Sequence, residues 1–584
     1  MEKQQAQQTD RVDDSLHGHD ERVEDAEPVQ HVHLKTIVLL IAIVTEYAVQ
    51  VFHIVGAGFL GSSVTAIVGG SNKSTWLVST MSISAACLGP PVSQAADFWG
   101  RRWFVIILSS FGCIGCIIVS RSNSIGMAIA GQAVSALSQG AQPVIHAIAS
   151  EILPRKYRPI AQASTNSAAT LGGILGLLVG GALTLNNPAG FRTFWYITAG
   201  AYGLSTLVVF ALYHPPAREL QQKYTTREKL AQLDWVGYFL LITGLVLFSF
   251  SLTSAMSVYP WRSAQILAPL ITGSLLLVGF AVYEWKFTRT GMLHHDLFKR
   301  GRNFAIAELC ILAEGISFFA ANNYFGFEVA VLYDQDQFHA GLYYTVAWFS
   351  LLISTWIAGV YCSRSKTIRL PTALAFISFT LFNALMASLT PANGRKNILG
   401  YAPFLGLGLG TALNALVVVA QLSTPPELIS ITTGLMIATR SFGGTIALSI
   451  YTAVFSDQLS SELPAKVAAA TIPLGFDTSN LGQLLGALTS GNTTAISQVP
   501  GVSPSILQAA GAGVKEAYSL GFRYVWVTAA AFAALAVIGA SFLIDPTAEF
   551  NAHIDAPIET EEELSRGGIA EKLHHHHHHH ESHA

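Results

Sequence analysis

The chain is cut into fourteen apolar runs, the first opening near Leu34 and the last ending near Leu543, with short polar segments between most of them. A helix needs roughly 20 apolar residues to cross a ~30 Å hydrocarbon layer, and each run is long enough to do so. In lipid a segment must satisfy its own backbone N–H and C=O groups, and no run alternates as a barrel strand does, so the runs are expected to be helices. The expected fold class is therefore an all-α polytopic membrane protein. Composition agrees, since only 12% of residues are charged, about half the usual share of a soluble domain. A water-soluble enzyme is excluded on that ground. A net charge of -3 also leaves no basic footprint for nucleic acid.

Residues 1–33 are polar and lack the apolar core of a cleavable signal, and are expected to be a disordered cytosolic tail. Lysine and arginine then set the orientation. With the N-terminus inside, seventeen fall in cytosolic loops, among them Arg101, Arg102, Arg155, Lys156, Arg158, Lys299, Arg302, Arg364 and Arg369, against six in short external loops. An even number of spans returns the C-terminus to the cytosol. Sequons at Asn72 and Asn492 fall on the outer side and are the expected glycosylation sites. The tail 545–584 is acidic and ends in seven histidines, His574 to His580, read as a tag or disordered tract and not as a metal site. Cys87, Cys113, Cys116, Cys310 and Cys362 all lie in or beside apolar runs, where a thiol behaves as a small hydrophobe, so neither disulfides nor redox use of Cys113-x-x-Cys116 is expected.

The loop after the second run reads Ser93-Gln-Ala-Ala-Asp97-Phe-Trp-Gly100-Arg101-Arg102, and Gly359-Val-Tyr-Cys-Ser363-Arg364-Ser-Lys366 after the tenth echoes it. Eight spans separate the two. The chain thus divides into a six-helix half at 34–214, a loop at 215–233, two inserted helices at 234–285, a loop at 286–303, and a second six-helix half at 304–544 that includes, at 457–521, a long external loop with one or two short amphipathic helices. Paired halves around a central site suit alternating access. With Gly89-Pro90-Pro91 ahead of the first loop, Ser150-Glu151-Ile-Leu-Pro154-Arg-Lys-Tyr-Arg158, and Leu233-Asp234-Trp235-Val-Gly237, the sequence resembles the major facilitator superfamily. Within it the chain is similar to the fourteen-span drug:proton antiporters, specifically the fungal trichothecene efflux pumps. The resemblance implies a major facilitator fold of 14 transmembrane helices, a gating role for Asp97, Gly100, Arg101 and Arg102, and an antiporter-like helix motif at Gly172, Gly176, Gly180 and Gly181. It also implies that the first and fourth spans line a central cavity.

An ionisable side chain in the membrane costs at least ~2.5 kcal/mol, so it is a functional candidate by default. Glu46, Gln50 and His53 share one helical face, as do Gln132, Gln139, Gln142 and His146 in the fourth span. Glu46, Glu314 and His146 are the candidate proton-coupling residues. Gln50, His53, Gln139, Gln142, Asn166, Phe318, Asn322 and Arg440 are the candidate cavity residues, a mixture of amides and an aromatic that suits a largely apolar ligand with a few oxygens. Gln162 extends the polar wall or serves helix packing. Glu308, near a helix start, is expected to pair with Arg302 or Lys299. Arg440 cannot lose its charge and is expected to pair with Glu314 or substrate, or to reach an interface.

No Walker-type nucleotide signature appears, so no cofactor is expected and an ion gradient must drive transport. The expected function is secondary active efflux of a small amphipathic toxin or secondary metabolite, trichothecene-like, in exchange for protons. The alternatives are a proton-coupled importer such as a ferric-siderophore carrier and, from another class, a membrane-embedded enzyme or receptor, which lacks the clustered ligands or nucleophile pair it would need. The expected partners are the small-molecule substrate and the bilayer. The expected setting is a monomer in the plasma membrane, with a vacuolar or other internal membrane as the alternative.

Overall fold

The computed structural model describes residues 32–70, 73–74, 76–216, 219–255, 259–392, 396–490, 496 and 498–555. The expected N-terminal tail apart from its last two residues, the sequon asparagines Asn72 and Asn492, and the histidine run lie outside the described residues. The first half comprises α1 (Leu34–Phe59), α2 (Trp76–Trp99), α3 (Arg101–Ser120), α4 (Ile125–Ala136), α5 (Gln142–Glu151), α6 (Arg158–Thr184) and α7 (Phe191–Leu212). The inserted pair is α8 (Trp235–Ser254) and α9 (Ala264–Lys286). The second half comprises α10 (Asn303–Tyr333), α11 (Gln337–Ser365), α12 (Arg369–Ala387), α13 (Lys396–Leu422), α14 (Ile429–Thr471) and α16 (Pro504–Ser541), with the short α15 (Leu481–Ser490) between the last two. Among the described residues the one β feature is an isolated bridge, Ala255 to Tyr259.

Eleven of the described helices are long and apolar enough to cross a membrane. The helices α2, α4, α5 and α14 are not among them, because Ser, Gln, Pro and Arg dilute α2 and α14 and the expected fourth span is broken in two. A 3-10 stretch, Leu137–Ala141, separates α4 from α5. Gly140 and then Pro143, at the start of α5, mark the break. Such a break frees backbone carbonyls, which in a membrane need a partner. Gln50 Nε2 supplies one, donating to the Ser138 carbonyl at 2.9 Å.

Within the first half α1 packs on α6 and α7, and α3 on α4 and α7; within the second, α10 packs on α14 and α16, and α11 on α13. The halves meet along two crossings, α2 with α14 and α6 with α11. Glycine permits the close approach in both: a Cβ on Gly434 would lie 3.1 Å from the Gly89 carbonyl oxygen, and one on Gly359 2.9 Å from that of Pro159. The inserted pair packs against α2 and α14 from outside, with Phe248 5.5 Å from Phe442 between ring centroids.

The segment 457–521, expected as an external loop with one or two short amphipathic helices, is more helical than that. Helix α14 runs for 43 residues, longer than a spanning helix needs to be, and α16 begins at Pro504. Leu463, Val467, Phe476, Leu484, Val499, Ile506 and Ala510 give the protruding part a small core of its own. The chain beyond α16 does not hang free either. Ile544 exchanges two hydrogen bonds with Asn303, and Asp545 caps α12 by accepting from the Ile368 and Arg369 amides at 2.6 and 2.8 Å. The strap then crosses to the first half, where Arg155 N donates to the His553 carbonyl and Lys156 N to that of Asn551, both at 2.9 Å.

Candidate substrate and proton site

The seam between the halves is held by polar contacts on the face that carries the arginine-rich loops. Asn166 Nδ2 donates to Thr355 Oγ1 at 3.2 Å, Asn414 Nδ2 to the Pro159 carbonyl at 2.8 Å, and Ser363 Oγ to the Lys156 carbonyl at 2.6 Å. Asp555, on the strap, takes Arg155 at 2.7 Å and also pairs with Arg158, while Glu549 takes Arg155 at 2.8 Å. Burial pushes the Asp555 carboxyl up, but the two arginines outweigh it and hold it below the usual carboxylate range. At the opposite end the contact is apolar, with Phe338 against Gly181.

The gating-loop residues form one buried cluster. Arg101, 2% exposed, pairs with Glu151 of α5 and with Asp97 at 3.3 Å. Gly100 makes the turn between α2 and α3 with φ 90, a left-handed conformation that favours glycine. Arg102 faces elsewhere: it donates to the Phe210 carbonyl at 2.8 Å and stacks over Trp103 and Phe210.

Between these ends, Arg440 Nε donates to Glu314 Oε2 at 2.5 Å and Nη2 to Oε1 at 3.1 Å, a bidentate pair joining α14 to α10. Glu314 is fully buried, and the guanidinium lies 4.5 Å above the Phe318 ring. Across the seam Tyr47 accepts from Gln142 Nε2 at 3.1 Å and sits edge-on to His146 at 4.8 Å. His146 Nδ1 is 2.8 Å from Gln162 Oε1, and Gln162 Nε2 donates to Ser150 Oγ at 2.6 Å. Tyr47, His146 and, from α11, Tyr344 lie within electrostatic range of Arg440. The site thus draws on both halves: Tyr47, Gln142, His146 and Gln162 from one, and Glu314, Phe318, Tyr344 and Arg440 from the other.

Other expected residues lie elsewhere. Glu46, Gln50 and His53 do share a buried face, but that face turns into the first half and away from the seam. Glu46 Oε2 accepts from Ser109 Oγ at 3.0 Å, Gln50 serves the broken helix, and His53 lies 3.3 Å from both Gln132 Oε1 and the Tyr202 hydroxyl. Gln50 and His53 thus make their hydrogen bonds within that half. Gln132 also accepts from Trp195 Nε1 at 3.2 Å. Gln139 is buried in the 3-10 break, Asn166 belongs to the α6–α11 seam, and Asn322 is exposed. Gly172 and Gly176 bring α6 onto α1, where added Cβ atoms would lie 2.1 Å from the Ala48 carbonyl oxygen and 2.7 Å from that of Phe52; Gly180 faces Leu60. Glu308 pairs with neither expected partner, since Lys299 bonds Asp296 and Arg302 donates to the Phe542 carbonyl. A cavity of about 430 Å³ opens at the base of the inserted pair, lined by Glu228, Asp234, Trp235 and Tyr283, and shares no residue with the seam site. Tyr47 and Tyr344 went unread in the sequence, though each lies on a helix already flagged. Of the two acidic partners, Glu151 stood in a stretch quoted for its family likeness but was given no partner, and Asp555 went unread because charge in a tail carries no cost that would mark it.

Two helical halves that meet around the Glu314–Arg440 pair are the architecture of secondary transporters, and solved structures of such proteins share it. The human organic anion transporter MFSD10 (TETRAN) aligns with a TM-score of 0.50 over 87% of this chain and 98% of its own, at 14% identity. The proton:xylose symporter XylE aligns with a TM-score of 0.51 over 86% and 96%, at 10% identity. The fold is that of the major facilitator superfamily. Residues 38–562 match the family described as Fungal trichothecene efflux pump (TRI12), and the chain belongs to that family. It is similar to trichothecene efflux pump TRI12 of Fusarium sporotrichioides, 24% identical over 79% of this chain and 78% of that one. It is similar also to trichothecene efflux pump TRI12 of Trichoderma arundinaceum, 26% identical over 82% and 81%, and to efflux pump dotC of Dothistroma septosporum, 25% identical over 79% and 76%.

Proposed function

We propose that the chain exports a small amphipathic secondary metabolite, trichothecene-like, in exchange for protons, by rocking of its halves about the Glu314–Arg440 site. The observation that carries this reading is that bidentate pair, set where α1, α5, α10, α11 and α14 converge. An antiporter needs a cavity whose charge differs between its two loading states. Ionised, Glu314 holds the guanidinium; on taking a proton it releases Arg440 and leaves the cavity one positive charge richer. His146, hydrogen-bonded to Gln162 beside Tyr47, is the proton-handling group on the facing wall. Glu46 is a second carboxylate, which acts through the packing of the first half. The helices α2, α4 with α5, and α14 complete fourteen spans, α4 and α5 forming one broken span. The arginine-rich face is cytosolic, so both termini are inside, the strap closes the cytosolic entrance, and Asp97, Arg101 and Glu151 brace it. The protein works in the plasma membrane as a monomer, because each chain holds both halves of its pathway, and it needs no cofactor beyond the proton gradient.

The test is transport by protein reconstituted in liposomes under an imposed pH gradient, using a trichothecene and a ferric siderophore. Gradient-driven movement of the trichothecene is expected, with Glu314→Gln abolishing the gradient dependence while leaving exchange without a gradient. Uptake-direction movement of the siderophore alone refutes export, and coupling untouched in Glu314→Gln but lost in Glu46→Gln moves the proton site to α1.

A further inference from the structure

The face of α11 turned to the site carries two donors with nothing to donate to. Tyr344 and Trp348 stand one helical turn apart, 8% and 7% exposed, with ring centroids 6.1 Å from each other. Neither the Tyr344 hydroxyl nor Trp348 Nε1 has a hydrogen-bond partner among the described residues, although both atoms are buried. Both rings are fixed from behind: Tyr344 lies 5.2 Å from Phe325, and the six-membered ring of Trp348 abuts Gly173 of α6, to whose Cβ position it comes within 3.1 Å. A buried donor without an acceptor is costly, and native proteins keep few of them, so two on one helix face call for an explanation. Arg440 and the indole are donors only, and a tyrosine hydroxyl whose oxygen is unpartnered can still donate.

We propose that Tyr344 and Trp348 are specificity-determining residues that select exported compounds by their oxygen acceptors. The class is an apolar skeleton presenting carbonyl, ester or ether oxygens spaced about one helical turn apart. Their donors offer nothing to the ammonium of a cationic amphiphile, which brings donors to a wall already made of them. An acceptor oxygen entering the seam gives these buried donors the partner that no described residue supplies. Phe318, under the guanidinium, supplies the apolar contact that a hydrocarbon skeleton needs.

This inference rests on the export reading, and the experiment keeps the two apart. Transport and equilibrium binding are measured in the full-length reconstituted protein for a keto-bearing trichothecene, for the same skeleton lacking that oxygen, and for the cationic amphiphile rhodamine 6G, in wild type, Tyr344→Phe and Trp348→Phe. Wild type is expected to prefer the keto compound about tenfold, one hydrogen bond's worth of affinity. Tyr344→Phe or Trp348→Phe is expected to lose that preference by weakening the keto compound alone, with rhodamine 6G bound poorly throughout. Both variants keep an aromatic ring, and unchanged binding of the oxygen-lacking skeleton reports that the site is intact. An oxygen preference that survives in both variants, or rhodamine 6G bound as tightly as the keto compound, overturns the donor face while leaving export standing. Wild type that moves neither trichothecene skeleton overturns export and this inference with it.

Discussion

Asp555→Asn is expected to open the arginine-rich face. The carboxylate, 4% exposed, is shared by Arg155 and Arg158, and the strap that carries it is anchored at its other end to Asn303 and to the start of α12. With the charge gone, Arg158 keeps only the Gln421 carbonyl at 3.2 Å among the described residues, and the arginine is 1% exposed. Removing one member of a buried pair costs about 3–5 kcal/mol. Glu549 still holds the partly exposed Arg155, so the lower end, about 3 kcal/mol, applies here. Because the strap bridges the halves in the closed arrangement, the loss falls on that state, and the closed-to-open ratio should drop roughly a hundredfold. The assay is pulsed electron paramagnetic resonance between labels at Tyr157→Cys and Arg364→Cys, in protein whose five native cysteines are replaced. The expected result is a longer distance that appears, or grows, in Asp555→Asn. A distribution identical to that of the parent refutes the idea that the strap contributes to closure.

Since the two arginines depress the Asp555 value below its ordinary ~3.9, the strap's contribution is fully present above that pH and is lost only as pH falls through the depressed value. The same distance distribution should therefore be unchanged between pH 5 and 8 and lengthen only below about pH 4. Gly172→Ala puts a methyl group against the Ala48 backbone carbonyl, which cannot swing aside as a side chain can; it should cost about 2 kcal/mol or more, measured as a lower unfolding midpoint in detergent. Gln50→Leu strips the Ser138 carbonyl of its partner and should cost about 1–3 kcal/mol in the same measurement, while Asn322→Leu, on an exposed side chain, should leave it unchanged.

Much of this architecture was legible because lipid imposes hard rules on a chain. Apolar runs of spanning length had to be helices, and Glu314 and Arg440, two charges far from water, had a strong reason to find each other. The period of α1 correctly grouped Glu46, Gln50 and His53, but a period says which residues share a face and not which neighbour that face meets. Tyr47, one residue on and about 100° round the helix, is the one that reaches the seam. Short helices were legible beyond Asp457, but not their continuity with α14: hydropathy registers contact with lipid, and Gln458 to Ala470 form a helix packed on α16 instead. Asp555 was hidden by its setting, since an acidic tail ordinarily stays in water and nothing local marks the one carboxylate that folds back.

The protruding ends of α14 and α16 have a mechanical consequence. At about 1.5 Å per residue, α14 is about 65 Å long, roughly twice the hydrocarbon thickness it crosses. The part outside the bilayer is packed on α16 and stiffened at its flank, where Lys466 meets Glu516 at 2.8 Å and Lys515 bonds Asp334 at the end of α10. It is thus a mast fixed to one half of the transporter. A tilt of that half too small to shift any helix far within the membrane is magnified at the mast's tip in proportion to its height. A rigid binder clamped there would turn each cycle of the pump into a sweep large enough to follow one molecule at a time.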